Sequence, residues 1–167
     1  MKNMTKLMMA GVLAVGTLAA GCQTTPSVTT PTVTAPVEQT ITPNLLQSYN
    51  WQLVDAKGTN NVKVPQLFFD PSNPLILEFT SENGNNFVSL LNTCNNMAAG
   101  YSIVNGNVQV GNIRSTRMAC PEPQASFDKA AVDTVKGKYS ISRSANNSPV
   151  LTITNAYQVA SFKAIAK

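Results

Sequence analysis

The sequence predicts a mainly β fold, a small antiparallel barrel-like β domain of about seven or eight strands with one α-helix, spanning residues 44–167. Three observations carry this reading. Apolar and polar residues alternate over most of that stretch, and clusters of Asn, Gly, Ser and Pro interrupt it at the spacing of an antiparallel meander. Only after Cys120 do the apolar residues change to helical spacing. At roughly 124 residues the stretch suits one domain with a true hydrophobic core.

Trp51-Gln52-Leu53-Val54 opens a strand, with Trp51 as its core anchor, and Asp55-Ala56-Lys57-Gly58 reads as a turn. Leu75 to Phe79 forms the next strand, and the run 81–86, Ser-Glu-Asn-Gly-Asn-Asn, turns the chain into Phe87 to Leu91. The sharpest local signal is Tyr101 to Val104, Asn105-Gly106, then Asn107 to Val110. Asn-Gly readily takes the positive φ angles of a two-residue hairpin turn. Pro121 and Pro123 then begin the one expected helix, with Ala125, Phe127, Ala130, Ala131, Val132 and Val135 at helical spacing up to Gly137. Strands follow at Lys138 to Arg143 and Val150 to Thr154, parted by the turn-rich run 144–149. A final strand, Tyr157 to Ile165, places Tyr157, Val159, Ser161, Lys163 and Ile165 on one face.

Ahead of this domain, Lys2 and Lys6 precede an apolar stretch from Leu7 to Ala20. At roughly 14 residues it is shorter than the ~20 of a membrane-spanning helix, and residues 1–21 read as a signal peptide. The end of the leader, Leu18-Ala19-Ala20-Gly21-Cys22, resembles a bacterial lipobox. That resemblance implies lipidation at Cys22, and Gln23 in place of an aspartate implies the outer membrane, periplasmic face. Two or more acyl chains hold stably, at about 0.8 kcal/mol per buried methylene. The alternative is plain secretion after Ala20 or Gly21 with Cys22 as a free thiol. Residues 22–43 then comprise the modified cysteine and a Thr/Pro-rich linker that favours extended conformations. A first strand from Val37 to Ile41 is the competing reading of its end.

Composition excludes several functions. Without Lys2 and Lys6 the 12 basic residues fall to 10 against 8 acidic, a net charge near +2. The bases are scattered rather than clustered along a phosphate track, so nucleic acid is not an expected partner. The chain has no histidine and its carboxylates are isolated in sequence, so no metal and no cofactor are expected. Nucleophilic catalysis lacks a histidine base and a Gly-x-Ser-x-Gly elbow. Asp128 with Asp133, or Glu78 with Glu82, would form a catalytic pair only by converging in a cleft, and surface charge is the expected role. No enzyme is expected.

Trp51-x-Leu53, Thr93-Cys94-Asn95-Asn96, Gly100-Tyr101 and the run Ile113-Arg114-Ser115-Thr116-Arg117-Met118-Ala119-Cys120, followed by a helix and two strands, resemble the META domain of HslJ-type heat-shock lipoproteins. The likeness spans roughly Leu46 to Ala164. It implies a role in envelope stress tolerance, including tolerance of an antibiotic such as novobiocin. With Cys22 lipidated, Cys94 and Cys120 are the cysteines left, and an exported compartment favours a disulfide between them. Closing a loop of about 25 residues contributes roughly 3 kcal/mol. Asn95, Ser115, Thr116, Arg117 and Met118 are the candidate recognition residues, since an arginine beside hydroxyls and a methionine suits peptide or glycan contact; the competing role is packing ahead of the disulfide. The expected protein is thus a non-enzymatic lipoprotein, anchored to the membrane by its lipid and binding a protein or envelope component. The rival is a periplasmic inhibitor of an attacking enzyme such as lysozyme or a protease, with the 81–86 or 144–149 turn as its inserting loop. A third reading is a passive structural lipoprotein.

Overall fold

A computed structural model describes residues 38–167; the leader, Cys22 and the spacer as far as residue 37 lie outside the described residues. In chain order come β1 (Glu38–Gln39), α1 (Pro43–Gln47), β2 (Asn50–Gly58), a 3-10 helix (Pro65–Phe68), β3 (Ile76–Glu82), β4 (Asn85–Leu91) and β5 (Met97–Val104). Then follow β6 (Asn107–Val110), β7 (Arg114–Ser115), α2 (Gln124–Thr134), β8 (Lys138–Arg143), β9 (Pro149–Thr154) and β10 (Gln158–Ile165).

The ten strands make one mainly antiparallel sheet in the order β1-β8-β9-β10-β2-β3-β4-β5-β6, with β7 beside β5. Two of the ten, β1 and β7, are only two residues long, so the eight longer strands are those that alternation announces. The sheet curls until β6 lies beside β8, yet the two do not pair and the barrel stays open. One cause is that β1 occupies part of the β8 edge, pairing Glu38 with Ser142 and Gln39 with Ile141. The six residues 38–43, grouped with the linker on composition, therefore carry a strand, a buried Ile41 and the start of α1.

Two hairpins form where Asn-Gly demands them. Asn83 and Gly84 (φ 50° and 79°) and Asn105 and Gly106 (φ 51° and 76°) hold the positive φ of a two-residue turn. The flanking pairs are Glu82 with Asn85 and Val104 with Asn107. Asp55 to Gly58, read as a turn, instead continues β2 and pairs with Ser161 back to Gln158 on β10. On β10 the buried set is Gln158, Ala160 and Phe162, while Tyr157 and Val159 face solvent.

The main helix, α2, is the expected one. Alternation gave no sign of α1 or the 3-10 helix, because both are too short to show a period. Thr42 caps α1, its Oγ1 accepting the amide of Leu45 at 3.2 Å, and Pro43 supplies the fixed φ of the first helical position. Inside the curl, Trp51, Leu77, Phe79, Phe162, Ile141 and Leu151 are fully buried. Trp51 donates its indole N–H to the carbonyl of Leu46 at 2.9 Å, which satisfies its polar edge within the core. Phe79 meets Tyr101 and Tyr139 edge to face at centroid distances of 5.2 and 6.5 Å. Side chains thus fill the interior.

Candidate functional site

The predicted recognition residues converge on one edge of the sheet. Asn95 sits in the short connection from β4 to β5, and Ser115 to Met118 lie in and just after β7. Asn95 is half-buried; the other four are exposed, Met118 to 61 %. Between Thr116 and Cys120 the chain makes no turn or bend.

Asn95 uses all of its side-chain hydrogen-bonding capacity. Its Oδ1 accepts the Met118 amide at 2.7 Å and the Thr116 hydroxyl at 3.1 Å. Its Nδ2 donates to Asp128 Oδ2 at 3.1 Å and to Cys120 Sγ at 3.0 Å. Thr116 is held a second time, its Oγ1 accepting the Asn96 amide at 3.0 Å. The residues on either side of Arg117 are therefore fastened to one side chain. Arg117 itself makes no hydrogen bond or ion pair among the described residues.

Cys94 and Cys120 are joined in a disulfide across a sequence separation of 26, tying this segment to the β4–β5 connection. Asp128 lies behind it. Its carboxylate is buried, with Oδ1 accepting the Cys94 amide and Oδ2 the Asn95 amide, both at 2.9 Å. Three N–H donors thus offset the cost of burying it. Surface charge is not its role. Helical spacing carried the signal, because Asp128 stands three residues before Ala131 and seven before Val135, both buried.

Among the described residues, the two carboxylate pairs weighed from the sequence do not converge in a cleft. Asp133 is exposed and points away from Asp128, five residues further along α2. Glu78 and Glu82 sit four residues apart on β3, about 13 Å along an extended strand. Cys94, Cys120 and Asp128 are the ligand-type cluster found among the described residues, but both sulfurs are spent in the disulfide. Ser126 and Lys129 have the Ser-x-x-Lys spacing of one hydrolase class, which corrects the expectation that the chain holds no such pair. Both line a depression of about 340 Å³ between α2 and the start of β10. No hydrogen bond joins them among the described residues, so the nucleophile–base contact is missing.

Two grooves flank the exposed segment. One of about 450 Å³ is lined by Leu90, Asn96, Ala98, Arg114 and Thr116. The other, about 490 Å³, runs between Ile113 and Ser115 on one side and Lys129, Val132 and Lys136 on the other.

A solved NMR structure of a protein from Burkholderia xenovorans is similar, with a TM-score of 0.60 and 20 % identity over 83 % of this chain and 98 % of that one. A second NMR structure matches with a TM-score of 0.48 and 24 % identity, over 74 % and 94 % of the two chains. Among curated proteins nothing matches. The META domain family model matches residues 44–166, from α1 through the last strand and including every residue of the Asn95 network. By that match, over more than two thirds of its length, the chain belongs to the META domain family.

Proposed function

We propose that the protein is a non-enzymatic lipoprotein of the outer membrane, anchored through Cys22 on the periplasmic face, whose META domain binds a protein partner through the Arg114–Met118 segment. The observation that carries the binding reading is the fastening of this segment by Asn95 and the disulfide while its side chains stand in solvent. A fixed segment loses little conformational freedom when a partner covers it, so more of the contact energy appears as affinity. An exposed arginine and methionine are residue types enriched at protein interfaces. The leader and the lipobox-like end support the anchor, and family likeness supports a contribution to envelope stress or antibiotic tolerance.

The test has two arms on the full-length protein in its own membrane. Intact mass spectrometry of the extracted protein is expected to give an N-terminal Cys22 with a lipid-sized mass increase; an unlipidated mass overturns the anchor. A photo-crosslinker in place of Met118 is expected to trap one saturable partner that a crosslinker at Asn146 does not. Equal labelling from the two positions overturns the binding surface.

A further inference from the structure

We propose that the partner is an arginine-specific, trypsin-like serine protease, and that the domain inhibits it by presenting Arg117 as a substrate-like residue held against cleavage. The inference rests on the binding reading above and names its partner class.

Such a protease reads a substrate as an extended strand. It adds the chain antiparallel to its own backbone and seats one arginine in a pocket with a carboxylate at its base. The segment meets each requirement. From Thr116 to Cys120 the chain has no turn or bend, and Arg117 is exposed with no partner among the described residues. Ser115, two residues before Arg117, has its backbone free for strand addition. The Thr116 amide bonds the Asn96 carbonyl at 3.1 Å, which makes Thr116 the bonded member of the β7–β5 ladder. By alternation Ser115, opposite Met97, is the non-bonded member, and its N–H and C=O point away from β5. Nothing among the described residues pairs with that edge, and the groove of about 490 Å³ lies beside it.

A substrate differs from an inhibitor in what happens after acylation. Attack by the protease serine would pass the Arg117 carbonyl carbon to the serine oxygen, and the Met118 nitrogen would leave as an amine carrying the proton. In a free peptide that amine diffuses away and water completes hydrolysis. Here the Met118 nitrogen is bonded to Asn95 Oδ1 at 2.7 Å, Thr116 is bonded to the same oxygen, and Cys120 two residues on is tied to Cys94. The amine stays beside the acyl carbon. Its return attack, which reforms the peptide bond and restores the serine hydroxyl, outcompetes water by effective concentration. Asn95 is thus a positioning residue and Arg117 the residue read by the pocket.

The test uses the full-length protein in detergent, with trypsin and a chromogenic arginine substrate. Competitive, one-to-one inhibition is expected from the wild type. Arg117→Lys is expected to keep inhibition within about tenfold, and Arg117→Ala to lose about 100-fold or more, as truncating one member of a buried charge pair does. Because Arg117 is exposed, neither change is expected to disturb the fold; circular dichroism checks this. Asn95→Ala is expected to turn the protein into a substrate cut between Arg117 and Met118. No inhibition at about 10 μM, a concentration at which even a loose interface registers, overturns the proposal. So does inhibition that Arg117→Ala leaves intact, or rapid cleavage of the wild type at that bond. If the Met118 crosslinker traps another class of protein while trypsin is untouched, the protease assignment fails and the binding surface stands.

Discussion

Asp128 on α2 accepts two N–H bonds from Asn95 on a single oxygen, the backbone amide at 2.9 Å and the side-chain Nδ2 at 3.1 Å. With the Cys94 amide on its other oxygen, it anchors the β4–β5 connection to the helix. Asp128→Ala leaves two backbone amides without acceptors in a largely buried place. A loss of about 2–4 kcal/mol is expected in urea unfolding. Asp128→Asn keeps the shape but sets an amide N–H₂ against N–H donors, so it also destabilises. Equal midpoints for wild type and Asp128→Asn would show that the shape, not the acceptor pair, is what matters.

Removing the disulfide by the double change Cys94→Ala and Cys120→Ala releases a loop defined by a separation of 26 residues. Stability falls by about 3–4 kcal/mol on the loop-entropy account. The Arg114–Met118 segment loses one of its two fastenings, so proteolysis is expected first between β7 and α2. Limited digestion with mass mapping reads this directly.

Gly137 joins α2 to β8 at a point where no side chain fits. A Cβ there would stand 2.7 Å from the Thr154 carbonyl oxygen and 2.8 Å from Ile153 Cγ2. One of those contacts is backbone in a paired strand, so it cannot swing aside. Gly137→Ala is expected to cost about 1–3 kcal/mol through overpacking, seen as a lowered thermal midpoint. A Gly84→Ala control meets no atom within 4 Å; its cost comes from a φ of +79° alone.

Burial pushes the phenol of Tyr139 far above its ordinary range, and its hydroxyl donates to the Val135 carbonyl at 2.8 Å. In the unfolded chain it ionises near pH 10, about its usual value. Below that pH both states hold the proton and the group adds no pH dependence. Above it the unfolded state alone releases the proton, and stability falls with pH until the folded pKa is reached, by up to about 1.4 kcal/mol per unit. Tyr139→Phe is expected to lose about 1 kcal/mol at neutral pH and to flatten the alkaline limb. Urea melts at pH 8 and pH 11 check both signs.

Much of this fold was legible because its cues are local. Asn105-Gly106 fixed a hairpin, and the run Lys138 to Arg143 alternates so cleanly that its bounds equal those of β8. The elements that escaped are short or depend on distant partners. β1 falls within the competing first strand of residues 37–41 rather than the favoured spacer, and it is a strand because Ser142 and Ile141 offer an edge. β7 exists only opposite Met97 and Ala98. At the site, the run from Ser115 to Met118 stands out in the sequence, but its fastening to Asn95 does not. The Asn95 bonds to Thr116 and Met118 span more than 20 positions, and neither residue type nor spacing announces them. Asp128 was the exception, readable from helical spacing but overshadowed by its charge.

The chain enters the domain through β1, whose hold on β8 is two residue pairs long. Tension transmitted from the N-terminal side would load a ladder only two residue pairs long. Before any core strand is strained, β1 would peel away, and residues 38–42 would pay out about 15 Å of extended chain. The buried Ile41 would be drawn out with them, leaving α1 and Trp51 in place. The entry strand is in that sense a mechanical fuse, yielding length at low force while the Arg117 segment, on the opposite margin of the sheet, keeps its shape.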